Sequence, residues 1–251
     1  DLHLRYGDGT LRNLTREAGY GGTGLQGANA IAVREPAVHW SGNRAVFSMV
    51  VGAPSKQYDY ATYRWQLYEV SGLAKGDAVA ITKVASQPAD YNNVAPCYGS
   101  DDRILFVSDR PRGGEAHLYP QLDEYESTPT TTGIYSLDPV SAELVLLNHT
   151  PSGAFSPQVD SFGRVIFTKW DHLQRDQQAD ADRANPGTYS AFTYSDESTT
   201  ATKIVSLDGT EVFPEPRSAT DPDTTPNTSL HTFNQFFPWQ LHQDGSGEET
   251  L

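Results

Sequence analysis

Cysteine is almost absent from this sequence: Cys97 is the only one in 251 residues. An internal disulfide, a Cys-Cys zinc site, a Cys-ligated iron–sulfur cluster and a CxxCH haem attachment are thereby excluded, and packing has to supply the stability. Lysine is scarce as well, with five residues among 18 basic ones, set against 32 acidic ones for a formal net charge of −14. That balance leaves no electrostatic footprint for nucleic acid or an anionic membrane surface. No run of about 20 apolar residues occurs, and no charged-then-apolar leader opens at Asp1, so neither a membrane span nor a signal peptide is expected. Gly-x-Ser-x-Gly is missing, and with it the nucleophile elbow of a hydrolase. Gly19-Tyr-Gly-Gly-Thr-Gly24 is glycine-rich but follows no parallel strand and opens no helix bearing a lysine, which argues against a phosphate loop.

What is abundant is β-forming and turn-forming: 13 Tyr, 10 Phe, 21 Gly and 16 Pro. Aromatic residues fit pleated sheets, and Gly and Pro punctuate short strands, so an all-β chain is expected. Three segments superimpose: Pro36-Ala-Val-His-Trp-Ser-Gly-Asn-Arg44-Ala-Val-Phe47, Pro96-Cys-Tyr-Gly-Ser-Asp-Asp-Arg103-Ile-Leu-Phe106 and Pro157-Gln-Val-Asp-Ser-Phe-Gly-Arg164-Val-Ile-Phe167. The proline recurs after 60 and 61 residues, and the Arg-apolar-apolar-Phe unit after 59 and 61. Each copy reads as a strand, a polar turn and a more apolar second strand, which is a hairpin. A second pattern follows: Trp65-Gln-Leu-Tyr-Glu-Val70, Ile134-Tyr-Ser-Leu-Asp138 and Ile204-Val-Ser-Leu-Asp-Gly209, each leading to a further strand such as 143–147. Four strands per repeat is the plan of a propeller blade.

These residues resemble the TolB-like, or PD40, repeat of the WD40-like β-propellers. Phe106-Val-Ser-Asp-Arg110 with Ile134-Tyr135 carries the likeness most closely, and the other two copies match more loosely. The stretches from Gly52 to Val70 and from Trp170 to Gln178 are also similar to the propeller of large secreted bacterial proteins related to the hydrazine synthase alpha subunit. The resemblance implies a β-propeller of four-stranded blades, approximately 28–84, 90–150 and 151–212, with partial blades at 1–15 and 231–251. It implies a periplasmic or extracellular setting. Closed rings usually have four to eight blades, so either the two partial blades pair to make the fourth blade of a single closed domain or, the reading that blades this long favour, the chain is one piece of a ring completed by another polypeptide or by the remainder of the same propeller.

The long loops after each second strand emerge on one face and hold the densest chemistry. There the residues 170–183 include Asp171, His172 and Asp176, and a second group is Asp123 and Glu124. Their oxygens would suit Ca²⁺, although the spacing matches no defined calcium loop, and the alternative is a solvated surface with Asp–Arg pairing. His39 and Trp40 are expected on the inner strand that lines the channel of a propeller, where a ligand could be met or the histidine could be a satisfied structural residue. The expectation for function is a non-catalytic propeller module mediating protein binding or assembly of a secreted or periplasmic complex. The alternative is the propeller part of a secreted enzyme, a haem redox complex or a propeller-capped peptidase, whose catalytic groups lie outside this chain.

Overall fold

A computed structural model describes residues 1–110, 132–148, 153–171, 211–212, 216–217 and 235–251. The chain divides into two compact units, Asp1–Ser108 with Ser136–Val145, and Asp109–Tyr135 with Leu146–Leu251. In order, the elements are β1 (His3–Arg5), β2 (Leu11–Asn13), α1 (Leu14–Glu17), β3 (Gly27–Val38), β4 (Arg44–Ala53), β5 (Gln66–Ser71), β6 (Ala80–Lys83), β7 (Asn93–Tyr98) and β8 (Ile104–Ser108). They continue with β9 (Gly133–Leu137), β10 (Leu144–Leu146), β11 (Ala154–Val159), β12 (Arg164–Asp171), β13 (Glu211–Val212), β14 (Pro216–Arg217), β15 (Gln235–His242) and β16 (Glu249–Thr250). The fold is all-β. Among the described residues there are three four-stranded sheets, ordered β3-β4-β5-β6, β10-β9-β8-β7 and β11-β12-β15-β16, and two two-stranded ones, β1-β2 and β13-β14.

The repeat seen in the sequence has a structural cause at each step. The residue before each repeated proline, Glu35, Ala95 or Ser156, has φ of 54°, 49° or 53°. At the same place the first strand slips against the second, between Arg34 and Ala37, Val94 and Cys97, and Phe155 and Gln158. Proline cannot donate to a ladder, so the extra residue is accommodated as a β-bulge that the proline marks in every copy. The hairpin turns repeat too: His39, Gly99 and Asp160 donate their N–H to the carbonyls of Arg44, Arg103 and Arg164, at 2.9, 2.8 and 2.9 Å. A left-handed residue closes each turn, Gly42 at φ 73°, Asp102 at 69° and Gly163 at 81°.

The repeated arginine then stitches the second strand to the third. Arg103 Nε donates to Ser136 Oγ at 2.7 Å and its Nη1 to Glu143 at 2.8 Å, while Arg164 Nη1 donates to Gln240 Oε1 at 2.6 Å. Arg44 Nη1 stands 3.7 Å from Glu69 Oε1. The repeated Phe47, Phe106 and Phe167 are buried, as their place in the apolar second strand requires. In the first unit the β1-β2 pair covers part of the first sheet, Leu2 and Leu14 packing on Ala45, Phe47, Met49, Tyr68 and Val70.

The third sheet differs from the sequence expectation. β12 pairs along its whole length with β15, from Arg164 opposite His242 to Asp171 opposite Gln235, and β15 pairs with β16. The segment near the C-terminus is therefore not an inner hairpin of a partial blade. It supplies the third and fourth strands of the sheet opened by β11 and β12, the position expected for 204–209. Residues 204–209 lie outside the described residues, and β13 and β14 pair with each other in a sheet of their own.

Candidate functional site

Among the described residues, a polar cluster lies in the first unit, at the turn ends of β3–β4 and β7–β8. The β3–β4 turn places His39 at its start, where its side chain is 6% exposed. Its imidazole is edge-on to Tyr98, with ring centroids 4.8 Å apart, and Trp40 lies over it at 3.9 Å. Both ring nitrogens are engaged. Nε2 stands 2.8 Å from Asp102 Oδ1, and Nδ1 stands 2.6 Å from Ser41 Oγ and 3.1 Å from the Ser41 backbone N–H.

An ionised carboxylate can only accept, so the short Nε2–Asp102 contact assigns a proton to Nε2. Arg44 Nη2 is 3.1 Å from that nitrogen and 3.3 Å from Asp102 Oδ1. A guanidinium has no acceptor to offer, so its N–H serves Asp102. The Asp102 carboxyl is held below its ordinary value by the hydrogen bond from His39, aided by the Arg44 charge, against a smaller opposing effect of desolvation. Arg44 also lies over the Tyr98 ring, 5.2 Å from its centroid. The Tyr98 hydroxyl donates to Glu69 Oε2 at 3.2 Å, and burial, helped by the Glu69 charge, pushes its pKa far up. Tyr98 therefore stays neutral.

Ser41, His39 and Asp102 stand in the order of a catalytic relay, but the surroundings do not suit one. The Nδ1 lone pair is divided between the hydroxyl and the backbone N–H of the same serine. Gly99 and Asp160 occupy the place of His39 in the other two hairpins and close the same turn, so the position belongs to the turn architecture. The cluster ties two neighbouring sheets of one unit together and leaves Trp40 on the surface, 61% exposed.

The acidic candidates for Ca²⁺ are not brought into this picture. Asp123, Glu124, His172 and Asp176 lie outside the described residues, and Asp171 ends β12 with its side chain outside them as well. Among the described residues no group of three His, Cys, Asp or Glu stands where a metal could be held.

No family model matches the chain, and no curated protein matches it. Among solved structures it is similar to Kuenenia stuttgartiensis hydrazine synthase. The identity is 10% and the TM-score 0.49, over 97% of this chain and 27% of that chain, so the present chain spans about a quarter of its length. No helix among the described residues is long and apolar enough to cross a membrane.

A second polar feature, which sequence reasoning missed, sits in the second unit. Lys169 is fully buried on β12, on the same side of the strand as Val165 and Phe167. Its ammonium donates to Glu248 Oε1 at 3.0 Å and lies 4.1 Å from the Trp239 ring centroid. The signal was available: lysine at the second position after the repeated Phe stands where Met49 and Ser108 stand in the other copies, and a charge there needs a partner.

Proposed function

We propose that this chain is a non-catalytic, TolB-like blade-repeat module that binds another polypeptide, or further blades of the same ring, within a periplasmic or extracellular assembly. The observation that carries the proposal is Trp40. An indole on the surface, packed at a 37° tilt against a buried histidine that is hydrogen-bonded through both ring nitrogens, is an aromatic anchor backed by fixed structure. Such a ring loses little conformational freedom on binding, and buried aromatic anchors dominate protein interfaces. Val38, at the same hairpin end, is 64% exposed and extends the apolar surface. The charged groups behind Trp40 are engaged with one another, which favours a surface that recognises over one that reacts.

Light scattering on the assembly isolated from its source with tagged chain tests the proposal. The expected result is a species heavier than the 27.5 kDa chain, from which Trp40→Ala releases the chain without unfolding it. A single species of the chain's own mass, unchanged by the substitution, would overturn it.

A further inference from the structure

The β1–β2 pair repeats the outer half of a complete sheet. In the three four-stranded sheets the N–H of Val84, Leu147 or Leu251 donates to the carbonyl of Leu67, Ile134 or Pro238 in the third strand, at 3.0, 2.8 and 3.1 Å. Leu14 N–H donates to the Leu2 carbonyl in the same way, at 2.9 Å, just ahead of β1. By that correspondence β1 is a third strand and β2 a fourth, and among the described residues no strand pairs with the other edge of β1. The Leu2 carbonyl and the Tyr6 N–H, which donates to Thr10 O at 2.9 Å, both bond toward β2. The alternate residues His3 and Arg5 therefore turn their backbone N–H and C=O groups to the open edge.

The side chains on this edge depart from the repeat. In the complete sheets the residues matching His3 are Tyr68, Tyr135 and Trp239, those matching Arg5 are Val70, Leu137 and Leu241, and all six are buried. Phe47 and Ala45 oppose Tyr68 and Val70 in the first sheet, and Phe167 and Val165 oppose Trp239 and Leu241 in the third. His3 and Arg5 are exposed, and among the described residues neither side chain has an ion pair or a hydrogen bond. A second strand of the repeat type would set a phenylalanine against His3 and an apolar residue against Arg5, burying a guanidinium without a partner. On the other face Leu4 packs on the core of the first sheet. Ile31 and Val33 of β3, which share the face of Val51 and Met49, are only half-buried there.

We propose that the open edge of β1 takes up an extended strand of another polypeptide, antiparallel to β1, with acidic side chains opposite His3 and Arg5 and an apolar one between them on the face of Leu4. An unpaired strand edge is a template for an added strand, whose main chain supplies affinity and whose alternate side chains supply selectivity. Opposite charges facing each other across a strand pair stabilise it, so Arg5 selects carboxylates over the aromatic residue of the repeat. The proposal rests on the reading of the chain as a module that binds another polypeptide, but at a surface other than Trp40, so Trp40→Ala leaves it intact.

The test titrates the full chain into labelled synthetic peptides, read by fluorescence anisotropy. One peptide alternates glutamate with valine, and two others carry lysine or phenylalanine in place of the glutamates. The glutamate peptide should bind several-fold more tightly than either, and its binding should slow hydrogen exchange at the His3 and Arg5 amides. Arg5→Glu should invert the preference between the glutamate and lysine peptides. His3→Pro removes an N–H that does not serve the β1–β2 ladder and keeps the Arg5 charge, so it should weaken the glutamate peptide several-fold while circular dichroism stays that of the wild type. Should His3→Pro fold poorly, Arg5→Glu, at an exposed position, still decides. No binding, equal binding of the three peptides, or binding that leaves the His3 and Arg5 amides exchanging as before overturns the proposal. A Trp40→Ala chain that leaves its assembly yet binds the glutamate peptide as wild type does would separate this edge from the Trp40 surface.

Discussion

Asp102 Oδ1 meets His39 Nε2 at 2.8 Å, and it does so from a left-handed backbone, φ 69°, where glycine stands in the matching turns at Gly42 and Gly163. Aspartate tolerates that conformation better than most residues, but glycine tolerates it best. The carboxylate is therefore retained where the backbone alone would favour glycine, and its contact with the neighbouring hairpin explains why. Asp102→Gly should lower the melting temperature although it relaxes the backbone. Asp102→Asn, which keeps an acceptor oxygen, should lower it less.

The same contact has a pH signature. Because His39 and Arg44 depress the Asp102 pKa below 3.8, the folded state binds this proton less readily than the unfolded chain. The contribution is fully present above the ordinary carboxylate range and is lost as pH falls through the lowered folded value. The melting-temperature gap between wild type and Asp102→Asn should close as pH falls from about 5 toward about 3. A gap that widens over that interval would contradict the assignment.

Phe106 lies fully buried in β8 at the repeated aromatic position. Phe106→Ala should destabilise the fold by about 3–5 kcal/mol, read from urea denaturation, since little around a fully packed ring can collapse into the space.

Lys169 and Glu248 form a pair with side chains 1% and 10% exposed. Removing one member leaves a buried charge, so Glu248→Ala should cost about 3 kcal/mol. Adding Lys169→Met to that variant should recover most of the loss, because methionine is what the first sheet carries at the corresponding position. A double-mutant cycle with no coupling would show that the pair contributes nothing.

The hairpins were legible because a bulge marked by proline, a turn closed by a left-handed residue and a cross-strand arginine each demand a residue type at a fixed spacing. The outer strands of the third sheet were not. Ile204-Val-Ser-Leu-Asp repeats the local pattern of Ile134-Tyr-Ser-Leu-Asp138, and nearness along the chain favoured it as partner for β12. The deciding feature is long-range: Tyr68-Glu69, Tyr135-Ser136 and Trp239-Gln240 each put a polar residue beside the repeated arginine after an aromatic one. The His39–Asp102 contact was hidden for a similar reason. Its residues belong to successive repeats, and the one local hint was an aspartate standing where the other copies have glycine.

Hydroxyl-radical footprinting of Trp40 and Val38, in the isolated chain and in the assembly purified with it, probes the proposed binding surface most directly. The account predicts rapid oxidation of both in the free chain and strong protection in the assembly, with Phe106 protected in each. Equal oxidation of Trp40 and Val38 in the two samples would contradict it.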